Sequence, residues 1–182
     1  MRLISTSLAE VVVIEPRVFI DERGFFLENF NRKSLASALG GTVDFVQDNH
    51  SRSTKHVLRG LHYQIQHPQG KLVRVARGCV FDVAVDIRKS SSNFGKWVGV
   101  ELSEKNHRQM WIPPGFAHGF LALSSVVDFF YKTTDYWHPE HERCIRWNDG
   151  QIGIDWPSVR GGPVLSSKDR EGSTLAEAEV FD

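Results

Sequence analysis

The sequence has only two cysteines, Cys79 and Cys144, too few for a disulfide framework and not spaced as metal ligands. Neither sign of charge is in excess: 22 Lys and Arg balance 22 Asp and Glu. Without a basic field, nucleic acid is not an expected partner, although a local basic pocket stays open. No run of about 18 apolar residues occurs, so no membrane partner is expected. The opening Met1-Arg2-Leu3-Ile4-Ser5 lacks a long apolar segment, which leads to the expectation of a cytoplasmic chain. Gly-rich phosphate loops and dinucleotide fingerprints are missing, so a phosphate would have to be met by Arg and Lys side chains. His-x-His spacing is missing too. His62 is followed two residues on by Gln64, and His118 by Gly119-Phe120, while His138-Pro139-Glu140-His141 falls in a predicted loop. No catalytic metal is expected.

Helical patterning is also scarce. The one clear helix is Asn31–Leu39, with Asn31 as its cap and Gly40-Gly41 to end it. The remainder reads as short strands: Glu10–Ile14, Val18–Ile20, Phe25–Phe30, Val43–Asn49, Val57–Gln64, Trp97–Leu102, Phe116–Leu123, Val126–Thr133 and Cys144–Trp147. Lys71–Ala76 and Val80–Ile87 are predicted to form a hairpin through Arg77-Gly78. In the second of these, Asp82 and Asp86 share a face with Val80 and Ala84, which suggests a polar cavity or a solvated side. Pro113-Pro114-Gly115 suits a type II turn. After Trp156-Pro157 come a Gly-Gly loop, Leu165-Ser166-Ser167-Lys168-Asp169, and a polar tail expected to be mobile. At 182 residues, with many short strands and Gly/Pro turns, the chain suggests one antiparallel sandwich or barrel.

The most informative stretch is Val57-Leu58-Arg59-Gly60-Leu61-His62-Tyr63-Gln64. In a regular strand, His62 and Arg59 point to opposite faces. A glycine inside a strand often marks a bulge or a close backbone approach, and a bulge at Gly60 would turn both side chains into one cavity. The competing interpretation is a half-buried strand with a hydrogen-bonded core histidine. Small barrels bind ligands at their mouths, so the polar residues that stand out are pocket candidates. They are Arg23, Glu28, Gln47, Asn49, Arg59, His62, Lys71, His118, Tyr131, Tyr136, Lys168 and Asp169.

A run of motifs then carries a resemblance. They are Asp21-Glu22-Arg23-Gly24-Phe25-Phe26, Gln47-Asp48-Asn49, Leu58–Gln64, Gln69-Gly70-Lys71-Leu72-Val73-Arg74-Val75 and Phe81–Arg88. Trp111-Ile112-Pro113, Gly115–Phe120, Tyr131-Lys132 and Lys168-Asp169 follow in order. Over nearly its whole length the chain resembles the dTDP-4-dehydrorhamnose 3,5-epimerase family, a branch of the cupin-like jelly rolls. The resemblance implies an all-β, cupin-like antiparallel jelly-roll barrel with a few short helices, filling residues 1–182. It implies a cofactor-free homodimer that acts on a dTDP-4-keto-6-deoxy sugar and inverts C3 and C5, the two carbons beside the ketone. It assigns His62 as base, Asp169 as its partner, Lys71 to the enolate oxygen and Tyr131 as the acid on the opposite wall. Arg59 and His118 match residues around the sugar and diphosphate; Tyr136, Glu142 and Lys168 match further binding positions. Arg23, Glu28, Gln47 and Asn49 match nucleotide-binding positions that the family supplies from the partner subunit. Trp137 departs from a tyrosine common in the family.

These roles suit the chemistry, because removing a proton beside a carbonyl near neutral pH needs a base such as histidine. Two other functions stay open: a related sugar-nucleotide enzyme that inverts one carbon or moves the keto group, and a non-catalytic sugar-nucleotide binding module. The presence of His62, Asp169 and Tyr131 favours epimerisation.

Overall fold

A computed structural model describes residues 1–182. Thirteen strands and two short helices follow in the order β1 (Arg2–Ser5), β2 (Val12–Glu15), β3 (Val18–Asp21), β4 (Gly24–Leu27), α1 (Arg32–Leu39), β5 (Gln47–Thr54), β6 (Leu58–Gln64) and β7 (Lys71–Arg77). They continue with β8 (Cys79–Asp86), β9 (Trp97–Ser103), β10 (Gln109–Ile112), β11 (Phe116–Ala122), β12 (Val126–Thr133), β13 (Glu142–Cys144) and α2 (Ser167–Arg170). A six-stranded sheet runs β1-β2-β10-β7-β12-β5, and a five-stranded sheet runs β13-β6-β11-β8-β9. Strand pairing within both is antiparallel, as expected for a jelly-roll barrel. β3 and β4 form a separate hairpin.

Side-chain alternation determines what faces the interior. On β12, Val127 and Phe129 join the core between the sheets, and Tyr131 packs against it. On β11, Phe116, Phe120 and Ala122 enter the same core, and His118 shares their parity. The opposite face of the five-stranded sheet holds a second core built on Leu61, Val83, Val85 and Ala117. Its cover is the C-terminal segment, through Leu175 and Val180. The expectation of a mobile tail is therefore corrected. The few apolar residues of that tail are spaced to seal an otherwise bare sheet face, and Leu175 N donates to Asp149 Oδ2 at 2.9 Å.

A second correction concerns the strands around Gly78. β7 pairs with β10 and β12, whereas β8 pairs with β9 and β11, so the expected hairpin is instead a corner between sheets. Gly78 has φ +83°, and a Cβ there would lie 2.3 Å from the Val126 carbonyl oxygen. A tight glycine turn between alternating strands looks the same in sequence whether the chain pairs back or changes sheet. Helix α1 behaves as read: Asn31 Oδ1 accepts from Ser34 N at 3.1 Å, and Gly40 closes the helix at φ +72°.

Leu175→Ala tests the corrected tail. Leu175 is 3% exposed, and truncating a buried leucine costs about 2–5 kcal/mol. Urea unfolding should show a loss of that order; a free tail would give less than about 0.5 kcal/mol.

Candidate active site

The two sheets enclose a cavity of about 420 Å³ lined by Gln47, Asn49, Arg59, His62, Lys71, His118, Tyr131, Trp137, Glu142 and Lys168, with Ser51, Gln69, Phe120 and Phe129 completing the wall. The bulge inferred at Gly60 explains how β6 contributes two of these. His118 pairs with His62, but Phe120 pairs with Arg59, so β6 carries one residue more than β11 across this interval. Gly60 has φ +120°, and a Cβ would meet Gly119 Cα at 2.5 Å. Only glycine fits, and its presence turns Arg59 and His62 into the same space while Leu61 and Tyr63 stay in the outer core.

His62 Nε2 lies 2.5 Å from Asp169 Oδ1. Asp169 is 2% exposed and is held by three further bonds: Gly60 N donates to Oδ1 at 3.1 Å, Ser166 Oγ donates to Oδ2 at 2.6 Å, and Asp169 N donates to Ser166 Oγ at 3.2 Å. Burial opposes ionisation of this carboxyl, but the bonds from His62 and Ser166 outweigh it and bring it down to about 2. An ionised Asp169 accepts, so His62 donates from Nε2 and keeps its lone pair on Nδ1. Burial lowers the His62 pKa, against the raising effect of Asp169 and with the help of Lys168 and Lys71. The ring is thus a neutral, oriented base at pH 7. Sequence reasoning missed Ser166; the spacing Ser166-x-x-Asp169 is a capping pattern that was available to be read.

A second imidazole–carboxylate pair stands beside the first. His118 Nε2 is 3.0 Å from Asp82 Oδ1, and Asp82 is fully buried. Burial raises the Asp82 pKa, against the opposing effect of His118. Of the two acids of β8, Asp82 is fully buried and reaches the cavity only through His118, which lines it. Asp86 instead binds Arg88 and Ser91 away from it.

The opposite wall carries Lys71 and Tyr131, from the six-stranded sheet. Lys71 Nζ donates to the His62 carbonyl oxygen at 3.3 Å, and burial lowers its pKa to about 8. Burial raises the Tyr131 pKa, with Glu142 adding to the effect, so its phenol is protonated at neutral pH. Arg59 is fixed by Ser53 Oγ at 3.0 Å and the Arg52 carbonyl at 3.2 Å. Neither Arg59 nor Lys71 forms an ion pair with a carboxylate, whereas Lys168 is paired with Glu142. Two such cations in one cavity suit an anionic ligand. Asn49 Nδ2 is buried without a partner, a donor available to a ligand acceptor.

Other candidates fall elsewhere. Gln47 and Asn49 line their own chain's cavity, which corrects the expectation that a partner supplies them. β5 pairs with β12, and this register sets Asn49 beside Tyr131. Arg23 lies at the exposed turn of β3 and β4, bound to Asp21, and Glu28 accepts from Asn31; neither lines the cavity. Tyr136 also stays outside, 58% exposed. Gln64 Nε2 holds its carbonyl at 3.1 Å while Trp137 N donates to Gln47 Oε1 at 3.0 Å, and it is the Trp137 side chain that lines the mouth.

The chain is similar to known proteins along nearly all its length. A family profile described as dTDP-4-dehydrorhamnose 3,5-epimerase matches residues 5–177. The dTDP-4-dehydrorhamnose 3,5-epimerase of Pseudomonas aeruginosa is 58% identical over 181 residues, covering 100% of this chain and 99% of its own. That of Escherichia coli is 57% identical, covering 97% and 96%. The crystal structure of a dTDP-6-deoxy-D-glucose-3,5-epimerase from Legionella pneumophila, in complex with dTDP-4-keto-L-rhamnose, superposes with a TM-score of 0.95 at 55% identity, covering 98% of this chain and 94% of that one. With its oriented histidine, its facing tyrosine and a match along nearly all its length, the chain belongs to the dTDP-4-dehydrorhamnose 3,5-epimerase family.

Proposed function

We propose that this chain epimerises dTDP-4-dehydro-6-deoxy-D-glucose at C3 and C5, giving dTDP-4-dehydro-L-rhamnose. The observation that carries the proposal is the placement of a neutral imidazole and a protonated phenol on opposite walls of one cavity. His62 Nδ1 takes the proton from a carbon beside the ketone. The electron pair moves into the carbonyl, and the enolate oxygen is met by the Lys71 ammonium. The imidazolium is stabilised by Asp169 at 2.5 Å. Tyr131 then delivers a proton to the other face, which inverts the carbon. Arg59 and His118 serve the diphosphate and sugar, with Gln47, Asn49, Glu142 and Lys168 as further contacts. No step calls for a cofactor.

The whole chain acts as one jelly-roll domain, and a homodimer completes each site. Arg23 and Glu28 lie outside their own chain's cavity. The hairpin that carries Arg23 exposes Phe19 by 48%, Ile20 by 82%, Phe25 by 62% and Phe26 by 69%, an apolar surface suited to a second subunit. A cytoplasmic setting fits the two free cysteines.

Three outcomes test these statements. In deuterated water, His62→Ala should abolish deuterium uptake at both carbons by NMR, and Asp169→Asn should lose up to about 10⁴-fold in rate. Tyr131→Phe should still exchange deuterium but retain configuration at the carbon it serves; unchanged inversion in this variant would assign the acid elsewhere. The pH profile of kcat/KM provides the second. Its acid limb, from protonation of His62, lies below the ordinary imidazole value of about 6.5. Its alkaline limb, from deprotonation of Lys71, lies at about 8. A limb set by Tyr131 would lie above about 10, so Lys71→Arg should move the limb upward and leave the acid limb in place. The third is complementation between inactive chains. Mixing Arg23→Ala with His62→Ala makes half the dimers mixed, each with one intact site, and should restore about a quarter of wild-type activity. A fully active monomer by sedimentation would refute the shared site.

A further inference from the structure

Outside the cavity, two connecting loops bring metal-ligating side chains together at its rim. His67 follows β6, and Asp135 and His138 follow β12; one donor atom from each lies within 4.8 Å of the others. The His67 and His138 rings stack with centroids 4.4 Å apart, and His67 Nδ1 lies 3.3 Å from Asp135 Oδ2. Asp135 has no Lys or Arg partner; its ion-pair contact is His67.

The frame beneath these donors is held by the side-chain amides of the buried Gln64 and the half-buried Gln69. Gln64, 3% exposed, donates to the His67 carbonyl at 2.8 Å and to the Tyr136 carbonyl at 3.1 Å, and accepts from His138 N at 2.8 Å. Gln69 Nε2 donates to the Asp135 carbonyl at 2.9 Å. His67 occupies the left-handed region at φ +56°, where a residue with a large side chain is uncommon. The backbone of all three donors is therefore fixed, while Asp135 Oδ1 accepts from Tyr136 N at 2.7 Å and His138 Nδ1 lies 3.4 Å from Glu140 Oε1.

We propose that this rim cluster binds one divalent transition-metal ion of the Zn²⁺ class through His67, Asp135 and His138, with water in the fourth position. Two imidazoles and a carboxylate form a donor set that such ions favour over Mg²⁺ or Ca²⁺. Ligands at about 2.0–2.1 Å in a tetrahedron stand about 3.4 Å apart, so the donors close by about 1.5 Å at most, within reach of side-chain rotation. The ion ties the loop after β6 to the loop that carries Trp137 over the cavity mouth. The other cluster of suitable donors, His62, Cys144 and Asp169, is already engaged in the base pair, and burial pushes the Cys144 thiol up to about 12, where it stays protonated and a poor ligand.

The test is calorimetric titration of Zn²⁺ into the chelator-stripped full-length protein. One ion per chain at micromolar or tighter affinity is expected. The double variant His67→Asn/His138→Ala should weaken binding at least about tenfold, since even residues behind a ligand typically contribute 10–100-fold. Asparagine tolerates the backbone conformation of His67, and the fold is checked by circular dichroism. His107→Asn is the matched control: His107 also has a positive φ, +53°, but lies outside the cluster, and binding should be unchanged. Absence of binding in the wild type, unchanged binding in the double variant, or binding lost in Cys144→Ser instead would overturn the proposal.

Discussion

The structure of the cavity depends on one hydrogen bond, that from His62 to Asp169, which joins residues 107 apart in sequence. It needs the C-terminal segment to return to the edge of β6. The return is secured by burial, because Leu175 and Val180 cover the outer core of the five-stranded sheet. It also needs a gap in the backbone of β6, which Gly60 supplies, and Gly60 N itself donates to the same carboxylate oxygen. The bulge thus performs two tasks: it turns Arg59 inward and presents an amide that helps to keep Asp169 ionised. A carboxylate that accepts several such bonds can stay charged despite burial.

The rest of the cavity follows from period-two alternation. Along β12, the parity that places Val127 and Phe129 in the core brings Tyr131 to the open end of the barrel. Along β7, Lys71 shares parity with the buried Val73 and Val75. The interior therefore grades from apolar to polar along single strands, and the polar end of each strand supplies one functional group. Rigid strands rather than loops hold His62, Tyr131 and Lys71, which suits the proposed reaction, whose outcome depends on which face of a carbon receives a proton.

Much of this was legible in the sequence because it is local. The Gly60 bulge, the Asn31 cap and the acids of β8 all speak through neighbouring residues. What was not legible depends on long-range choices. Gly78 announces a tight turn but not which strand the chain meets next, so a sheet-changing corner looked like a hairpin. The tail after Asp169 is polar on average, and its role rests on a few apolar residues whose partners lie far away in sequence. Trp137 rather than Tyr136 at the mouth is set by the backbone bonds of Gln64 and Gln47, which no propensity encodes. The family resemblance supplied the roles of Asp169 and Lys71, since the spacing Ser166-x-x-Asp169 marks a helix cap but no chemistry, and nothing beside Lys71 distinguishes it from a surface charge.

The electrostatics of the cavity reconcile two demands that ordinarily conflict. A base must be neutral before reaction, yet the enolate it creates requires nearby positive charge. In the proposed reaction Lys71 serves both. Lys71 and Lys168 act with burial to lower the His62 pKa, so the resting imidazole stays unprotonated. Once the proton has moved in that reaction, the enolate would offset the charge of Lys71 and relieve the repulsion that opposed an imidazolium. Asp169, 2.5 Å from His62 Nε2, would then stabilise that imidazolium directly. Burial lowers Lys71 to about 8 yet leaves most of it charged at pH 7, so the cation is held in the resting enzyme at a cost that is recovered as negative charge develops opposite it. In the proposed reaction these groups stabilise the charge-separated state, and they are in position before the substrate arrives.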